Sequence, residues 1–115
     1  MKVWVKLVTL CCVMASSSLW AHGKMAITVP ADGSSVVEPL EQLELHFSRA
    51  TKLINVKLTS LRGEKVPVSV NRGLGAQTLF ELAVPPLQAG KYQVEWKGLG
   101  ADGHIMKGHF SFEQR

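Results

Sequence analysis

Beyond residue 21 the chain alternates apolar and polar residues in short runs, and no segment keeps a helical period. In residues 43–48 every second side chain is apolar. Because successive side chains of a strand point to opposite faces, this pattern predicts a half-buried strand. Similar runs predict strands at residues 25–29, 43–48, 54–61, 66–70, 79–84, 90–96 and 106–113. About seven short strands predict an all-β fold, an Ig-like or cupredoxin-like Greek-key sandwich or barrel.

Turn residues separate the predicted strands, and none of these separators is long enough to be a linker. Residues 30–35 combine a proline, an Asp-Gly pair and serines, which favours a turn. Residues 62–64 predict the turn of a hairpin over residues 54–70. Pro85-Pro86 ends a further strand, because proline cannot donate to a ladder. The pattern therefore indicates one domain.

The first 21 residues contain the three parts of a secretory signal and no acidic residue. Lys2 and Lys6 form the positive region, and residues 7–15 form the apolar region. Residues 16–21 begin with three serines and end in alanine, which fits a cleavage site. The apolar run is too short to span a bilayer as a helix. We therefore predict a signal peptide at residues 1–21.

Cleavage after Ala21 leaves one exported domain at residues 22–115, without a membrane anchor. Cleavage after Ala15 is the competing prediction. Cys11 and Cys12 both lie in the signal. The mature domain would thus contain no disulfide and no thiolate ligand for a metal, although an oxidising compartment would allow a disulfide.

The charge of the mature domain is weak and scattered. The chain has 13 basic and 9 acidic residues, and the signal holds two of the basic ones. This leaves 11 basic against 9 acidic residues, a net charge of +2, with no run of lysine or arginine. Such a distribution gives no support to nucleic-acid binding or to an anionic membrane patch.

Three residues near the two ends of the mature chain carry metal-ligand side chains: His22, Asp102 and His104. Residues two apart in an extended chain point to the same side, so Asp102 and His104 can converge. Cleavage after Ala21 makes His22 the first residue, which offers both its α-amine and its imidazole. Three nitrogens and one oxygen suit Cu(II), which lies at the top of the divalent affinity order. Zinc could bind the same groups more weakly, in a tetrahedral arrangement.

The histidines and the Asp-Gly pair also have structural interpretations. Asp102-Gly103 between two β runs is a common hairpin signal, and taken alone it indicates a turn. His46 alternates with apolar neighbours and is predicted to face solvent. His109 lies an odd number of residues from His104, so in a regular strand it faces the opposite side. Side chains expected to pack in or against the core are Met25, Met106 and Trp96.

Several pieces of the sequence resemble the CopC family of periplasmic copper-binding proteins along nearly the whole mature length. Each piece is common by itself, but their order and spacing together are specific. The matching pieces are His22 after a signal, and residues 30–34, 45–48, 86–96, 101–104 and 108–112. The resemblance implies a Greek-key β-barrel or sandwich that binds Cu(II) in the periplasm. The family's N-terminal histidine, aspartate and second histidine correspond to His22, Asp102 and His104.

The resemblance also implies a role. It predicts a Cu(II) carrier or buffer in copper homeostasis or resistance, which passes copper to an inner-membrane importer of the CopD type and is not an enzyme. Two alternatives remain open. The histidine pair also resembles the copper brace of oxidative polysaccharide-cleaving enzymes, although most aromatic residues here fall on inward positions. The other alternative is a metal-free Ig-like interaction module, a role this fold often has.

Three departures from the family pattern bear on the copper site. Residues 61–77 contain no Met and no His, whereas some members have a Met- and His-rich loop that binds Cu(I). Arg49 follows Phe47-Ser48, where the family often has an acidic residue, and its charge would disfavour a nearby cation. Gly100 stands where a serine is common. We expect these changes to lower copper affinity or alter access to the site.

Overall fold

The computed structural model describes residues 26–71, 73 and 75–115. The predicted signal peptide, His22 and Met25 lie outside the described residues. The described chain forms seven β-strands, which confirms the all-β prediction. The strands are β1 Ala26–Val29, β2 Ser34–Val36, β3 Gln42–Ser60, β4 Lys65–Val66, β5 Gln77–Ala83, β6 Gly90–Leu99 and β7 Ile105–Gln114. Within this part of the chain, no helix is long and apolar enough to cross a membrane.

Strand β3 is 19 residues long and belongs to both halves of a curled sheet. Its first half lies between β1 and β5, and these three segments form what we call the first sheet. Its second half pairs with β4 and β6, and β6 continues to β7 and β2, which we call the second sheet. The prediction of separate strands at residues 43–48 and 54–61 is therefore wrong. Residues 48–50 are exposed and interrupt the alternation, but the chain stays extended through a register shift between His46 and Thr51.

Strand β2 lies in the segment that was predicted to be a turn, and it pairs in parallel with the end of β7. The turn is shorter than predicted because Asp32 and Gly33 bind the backbone of Ser111. Asp32 Oδ1 accepts a hydrogen bond from Ser111 N at 2.9 Å, and Gly33 N donates to Ser111 O at 2.7 Å. These bonds carry the chain onto the edge of β7, where Ser34 lies opposite Phe112.

The hairpin predicted over residues 54–70 is confirmed only near its turn. Leu58 of β3 lies opposite Val66 of β4, and Ser60 N donates to Glu64 O at 2.8 Å across the turn. Strand β4 ends after Val66, so the strand predicted at residues 66–70 is too long. Val68 and Val70 still pack against the core, which explains why their spacing resembles that of a strand.

The core lies between the two sheets and is built from alternate residues of the long strands. Its buried side chains are Leu43, Leu45, Phe47, Leu53, Val56, Leu58, Phe80, Leu82, Tyr92, Val94, Trp96, Phe110 and Phe112. The indole of Trp96 covers Gly108, which lies opposite it in β7, and a Cβ at Gly108 would overlap the ring. Trp96 also meets Phe47 edge-on at a centroid distance of 5.1 Å. Every aromatic residue of the described chain is buried, in agreement with the inward positions predicted from alternation.

Tyr92 supports the Ig-like character of the fold. Its ring is buried and stacks on Phe112 at a centroid distance of 5.5 Å. Its hydroxyl donates to the carbonyl oxygen of Gln88, four residues earlier, at 2.7 Å. A buried tyrosine that bonds to the backbone a few residues upstream is the tyrosine corner of Ig-like sandwiches.

Candidate metal-binding site

The loop between β6 and β7 carries two of the three predicted ligand residues. The ladder of this hairpin closes at Leu99 and Ile105, which leaves residues 100–104 as the loop. Gly100 N donates to His104 O at 2.8 Å, and Gly103 N donates to Gly100 O at 2.9 Å. Gly103 has a φ of 87°, a conformation that glycine adopts without strain. We call residues 100–104 the hairpin tip.

Asp102 and His104 contact each other at the hairpin tip. Asp102 Oδ2 lies 3.0 Å from His104 Nδ1, and Asp102 Oδ1 accepts a hydrogen bond from His104 N at 3.1 Å. Both side chains are exposed, Asp102 to 66% and His104 to 83%. A carboxylate oxygen and an imidazole nitrogen are both atoms that ligate metal ions. The structure therefore brings these two residues together and leaves them accessible from solvent.

The contacts with His104 also keep the Asp102 carboxylate ionised. The hydrogen bond from the His104 side chain is the largest cause that lowers the pKa of Asp102 below its ordinary value of 3.8. The hydrogen bond from the His104 backbone lowers the pKa further. Metal ions bind the deprotonated form of a carboxylate, so near neutral pH Asp102 can bind a metal ion without first losing a proton.

The first described strand begins at the same end of the sheet as the hairpin tip. Ala26, the first residue of β1, lies opposite Phe47, next to the bend of β3. Just beyond this bend, Lys52 lies opposite Leu99, which directly precedes the hairpin tip. Among the described residues, no group of three or more His, Cys, Asp and Glu side chains could hold a metal. The described part of the predicted site is thus a pair of donors, and His22 lies outside it.

Glycines allow the close packing beneath the hairpin tip. A Cβ at Gly98 would lie 2.9 Å from Thr51 Cγ2, so Gly98 lets the bend of β3 approach β6. A Cβ at Gly100 would lie 3.2 Å from Asp102 Oδ1 and 3.3 Å from Met106 Sδ. A side chain at residue 100 would therefore crowd the Asp102 carboxylate in this loop. Met106 is half-buried and packs against the core, as predicted.

Arg49 lies on the exposed bend of β3, three residues before Lys52. Because Lys52 pairs with the last residue of β6, this bend runs beside the base of the hairpin tip. A positive side chain at this end of the sheet opposes the approach of a cation.

The other described histidines lie on outward sides of the sheets, as predicted from their positions; His109 is exposed and His46 is half-buried. His46 Nε2 lies 2.9 Å from Glu44 Oε1 on the outward side of the first sheet. This hydrogen bond is the largest cause that lowers the pKa of Glu44. The contact was not predicted, although Glu44 and His46 are two residues apart and therefore share a face. His109 lies on the outward side of the second sheet, opposite Glu95.

Comparison with known proteins decides the family. The family model of the CopC domain matches residues 25–115. The chain belongs to the CopC family. It is 31% identical over 110 residues to copper resistance protein C of Pseudomonas syringae pv. tomato, with 88% of this chain and 86% of that protein covered. Protein YobA of Escherichia coli strain K12 is 30% identical over 104 residues, with 86% and 83% covered. The prediction from the motif pieces is confirmed.

This CopC family member also matches a solved structure of PcoC, a methionine-rich copper resistance protein from Escherichia coli. The match has a TM-score of 0.61 and 27% identity, and it covers 76% of this chain and 93% of PcoC. PcoC is described as methionine-rich, whereas residues 61–77 of this chain contain no methionine. The two chains therefore share a fold.

Proposed function

We propose that this CopC family member is a periplasmic copper-binding protein that holds Cu(II) through His22, Asp102 and His104. Copper handling is supported by family membership and by similarity to copper resistance protein C. The observation that most supports the proposed metal site is the contact of Asp102 with His104 at an exposed hairpin tip. The signal peptide at residues 1–21, the mature domain at 22–115 and the periplasmic location are part of the same proposal.

The donor set suits Cu(II). Asp102 supplies an ionised carboxylate and His104 an imidazole, and both are oxygen or nitrogen donors of the kind that Cu(II) accepts in tetragonal sites. His22 would add its imidazole and, as the first residue after cleavage, its α-amine. It precedes Ala26 by four residues, and four residues of extended chain reach about 14 Å. Ala26 begins at the same end of the sheet as the hairpin tip, so this reach favours a shared site.

The exposure of the hairpin tip favours a carrier or buffer. Asp102 and His104 are both largely exposed, so copper could enter and leave without opening of the core. We propose that copper passes from this site to an inner-membrane importer of the CopD type. A copper-brace enzyme acting on glycans needs exposed aromatic side chains, and all those of the described chain are buried. This observation favours the carrier over the enzyme.

A thermal-shift series on protein exported with its own signal tests the proposal. Intact mass first establishes whether the chain begins at His22, which the site requires. A ligand that binds only the folded state raises the melting temperature, and at about 100 times its Kd it adds about 2.7 kcal/mol. We expect Cu(II) to raise the melting temperature more than Zn(II) does. An unchanged melting temperature with both metals would support the metal-free interaction module instead.

A further inference from the structure

The outward side of the second sheet gathers lysines that are far apart in the sequence. Asn55 of β3 lies opposite Lys97 of β6, and Lys97 lies opposite Lys107 of β7. The next row carries a further lysine, a glutamate and a histidine. We call this surface the basic face, and its members are Asn55, Lys57, Glu95, Lys97, Lys107 and His109. They border an open depression of about 400 Å³.

The charges of the basic face are not balanced. Glu95 is its one carboxylate, and its Oε1 lies 3.9 Å from Lys57 Nζ. Lys97 and Lys107 lie directly opposite each other, and neither forms an ion pair with another described residue. Like charges at opposite positions destabilise an antiparallel strand pair. An anionic group bound between the two lysines would relieve this repulsion.

The outward side of the first sheet has the opposite character. Glu44 of β3 lies opposite Glu81 of β5, and Gln42 Nε2 donates to the two carboxylates at 3.1 and 3.4 Å. Strands β1 and β5 contain no lysine and no arginine. The fold thus places basic and acidic residues, which are interspersed along the sequence, on the outward sides of different sheets. A surface of one sign attracts partners of the other sign and speeds their association.

We propose that the basic face docks an acidic segment of a partner protein, with carboxylates placed between Lys97 and Lys107. The cations of the basic face are lysines, which attract carboxylates as point charges. Asn55 completes the row of the lysine pair and offers an amide that can bond to a peptide backbone. The next outward row toward the hairpin tip holds Ile105, which is 54% exposed. Asn55 favours a peptide segment over a lipid surface, and anionic vesicles are the comparison in the test below.

The basic face and the hairpin tip belong to the same hairpin. Two residue pairs, Gly98–Met106 and Leu99–Ile105, separate the lysine pair from the tip. Three residues of strand rise about 10 Å. A partner on the basic face would therefore have Asp102 and His104 at the rim of its contact area. Docking itself needs no metal. The docking proposal can therefore fail while the proposed copper site stands, and the copper site can fail while the docking proposal stands.

Binding of a labelled oligoglutamate peptide to the metal-free protein tests the proposal. We expect binding at low salt that weakens as salt rises, together with NMR shifts of amides on the basic face. Replacing both Lys97→Glu and Lys107→Glu should weaken binding at least tenfold. The matched control replaces Arg62→Glu and Lys65→Glu, which changes the net charge equally at the β3–β4 turn, and it should change binding less than about twofold.

Three results would overturn the proposal. The first is no binding of oligoglutamate at low salt. The second is an equal loss in both double variants, because net charge alone would then explain the binding. The third is binding to vesicles that contain phosphatidylglycerol without binding to oligoglutamate, which would assign the face to a lipid surface.

A stability measurement checks the premise separately. Lys97→Gln removes the repulsion with Lys107 and keeps a long polar side chain, so it should raise the melting temperature of the metal-free protein. The Lys65→Gln control should leave the melting temperature nearly unchanged. A lower melting temperature for Lys97→Gln would show that the lysine pair is not repulsive and would remove the physical basis of the proposal.

Discussion

Asp102 binds His104 twice, through the imidazole Nδ1 at 3.0 Å and through the backbone N–H at 3.1 Å. The two residues are separated by Gly103, whose φ of 87° lets the chain turn back on itself. The aspartate therefore both shapes the loop and fixes the imidazole. The contact keeps the two donor side chains next to each other in the metal-free protein.

This contact predicts the titration of Asp102 in the metal-free protein. We expect an NMR titration to give a pKa below the ordinary 3.8, because His104 hydrogen bonds stabilise the carboxylate. His104→Ala should raise that pKa toward its ordinary value, while His109→Ala should not change it. Because the pKa is lower in the folded state, the contact stabilises the fold above about pH 4. That contribution is lost as the pH falls through the lowered pKa, and an unshifted Asp102 in the wild type would contradict the observed contact.

The packing of Trp96 on Gly108 predicts a loss of stability when a side chain is added. Gly108→Ala would place a methyl group inside the space of the indole. Overpacking of this kind costs about 1–3 kcal/mol, which corresponds to a fall in melting temperature of about 4 °C or more. Ser111→Ala is the control, since Ser111 lies in the same strand with its side chain exposed. Equal melting temperatures for both variants would disprove the close contact.

Gln114 connects the last strand to the segment between β2 and β3. Its side chain is buried, and its amide donates to Val36 O at 3.2 Å and to Glu38 O at 2.9 Å, while Leu40 N donates to its Oε1 at 3.0 Å. Gln114→Ala removes the partners of Leu40 N and Glu38 O, whereas Val36 O keeps its hydrogen bond from Arg115 N. We therefore expect a loss of about 1–3 kcal/mol in the free energy of unfolding.

Denaturant unfolding measures this loss, with Gln93→Ala as the control. Gln93 is half-buried and its side chain has no hydrogen bond within the described chain. Similar losses for the two glutamines would show that the Gln114 bonds do not stabilise the segment.

The position of Arg49 predicts a specific gain in copper affinity. Arg49→Glu replaces a repulsive charge by an attractive one at the end of the sheet that holds the hairpin tip. In water such a change is worth about 1 kcal/mol at low salt, so affinity should rise about fivefold. Arg62→Glu lies at the β3–β4 turn and should have less effect. Equal effects of the two variants at low salt would mean that Arg49 acts only through net charge.

The sequence predicted the strands of the core well because each has one buried face. Alternation placed Tyr92, Val94 and Trp96 on one side of β6, and all three are buried. It failed where tertiary contacts decide the structure. The three residues of β2 form a strand because Asp32 and Gly33 bind Ser111, which lies 78 or more residues later in the chain. No local sequence pattern indicates this contact.

The candidate site was partly predictable for a related reason. Asp102 and His104 are two residues apart, and a short loop brings them together whatever the rest of the chain does. The basic face was not predictable from composition. Lys57, Lys97 and Lys107 are dispersed along the chain, and only the register of β3, β6 and β7 makes them neighbours.

Competition with a chromophoric chelator measures the Cu(II) affinity of the mature protein and thereby tests the copper site. We expect one Cu(II) per chain and an affinity that falls at least tenfold in each of His22→Ala, Asp102→Ala and His104→Ala. His46→Ala and His109→Ala, which remove histidines on the outward sides of the two sheets, should bind Cu(II) as the wild type does. Wild-type affinity in His104→Ala, or an equal loss in His46→Ala, would contradict a copper site at the hairpin tip.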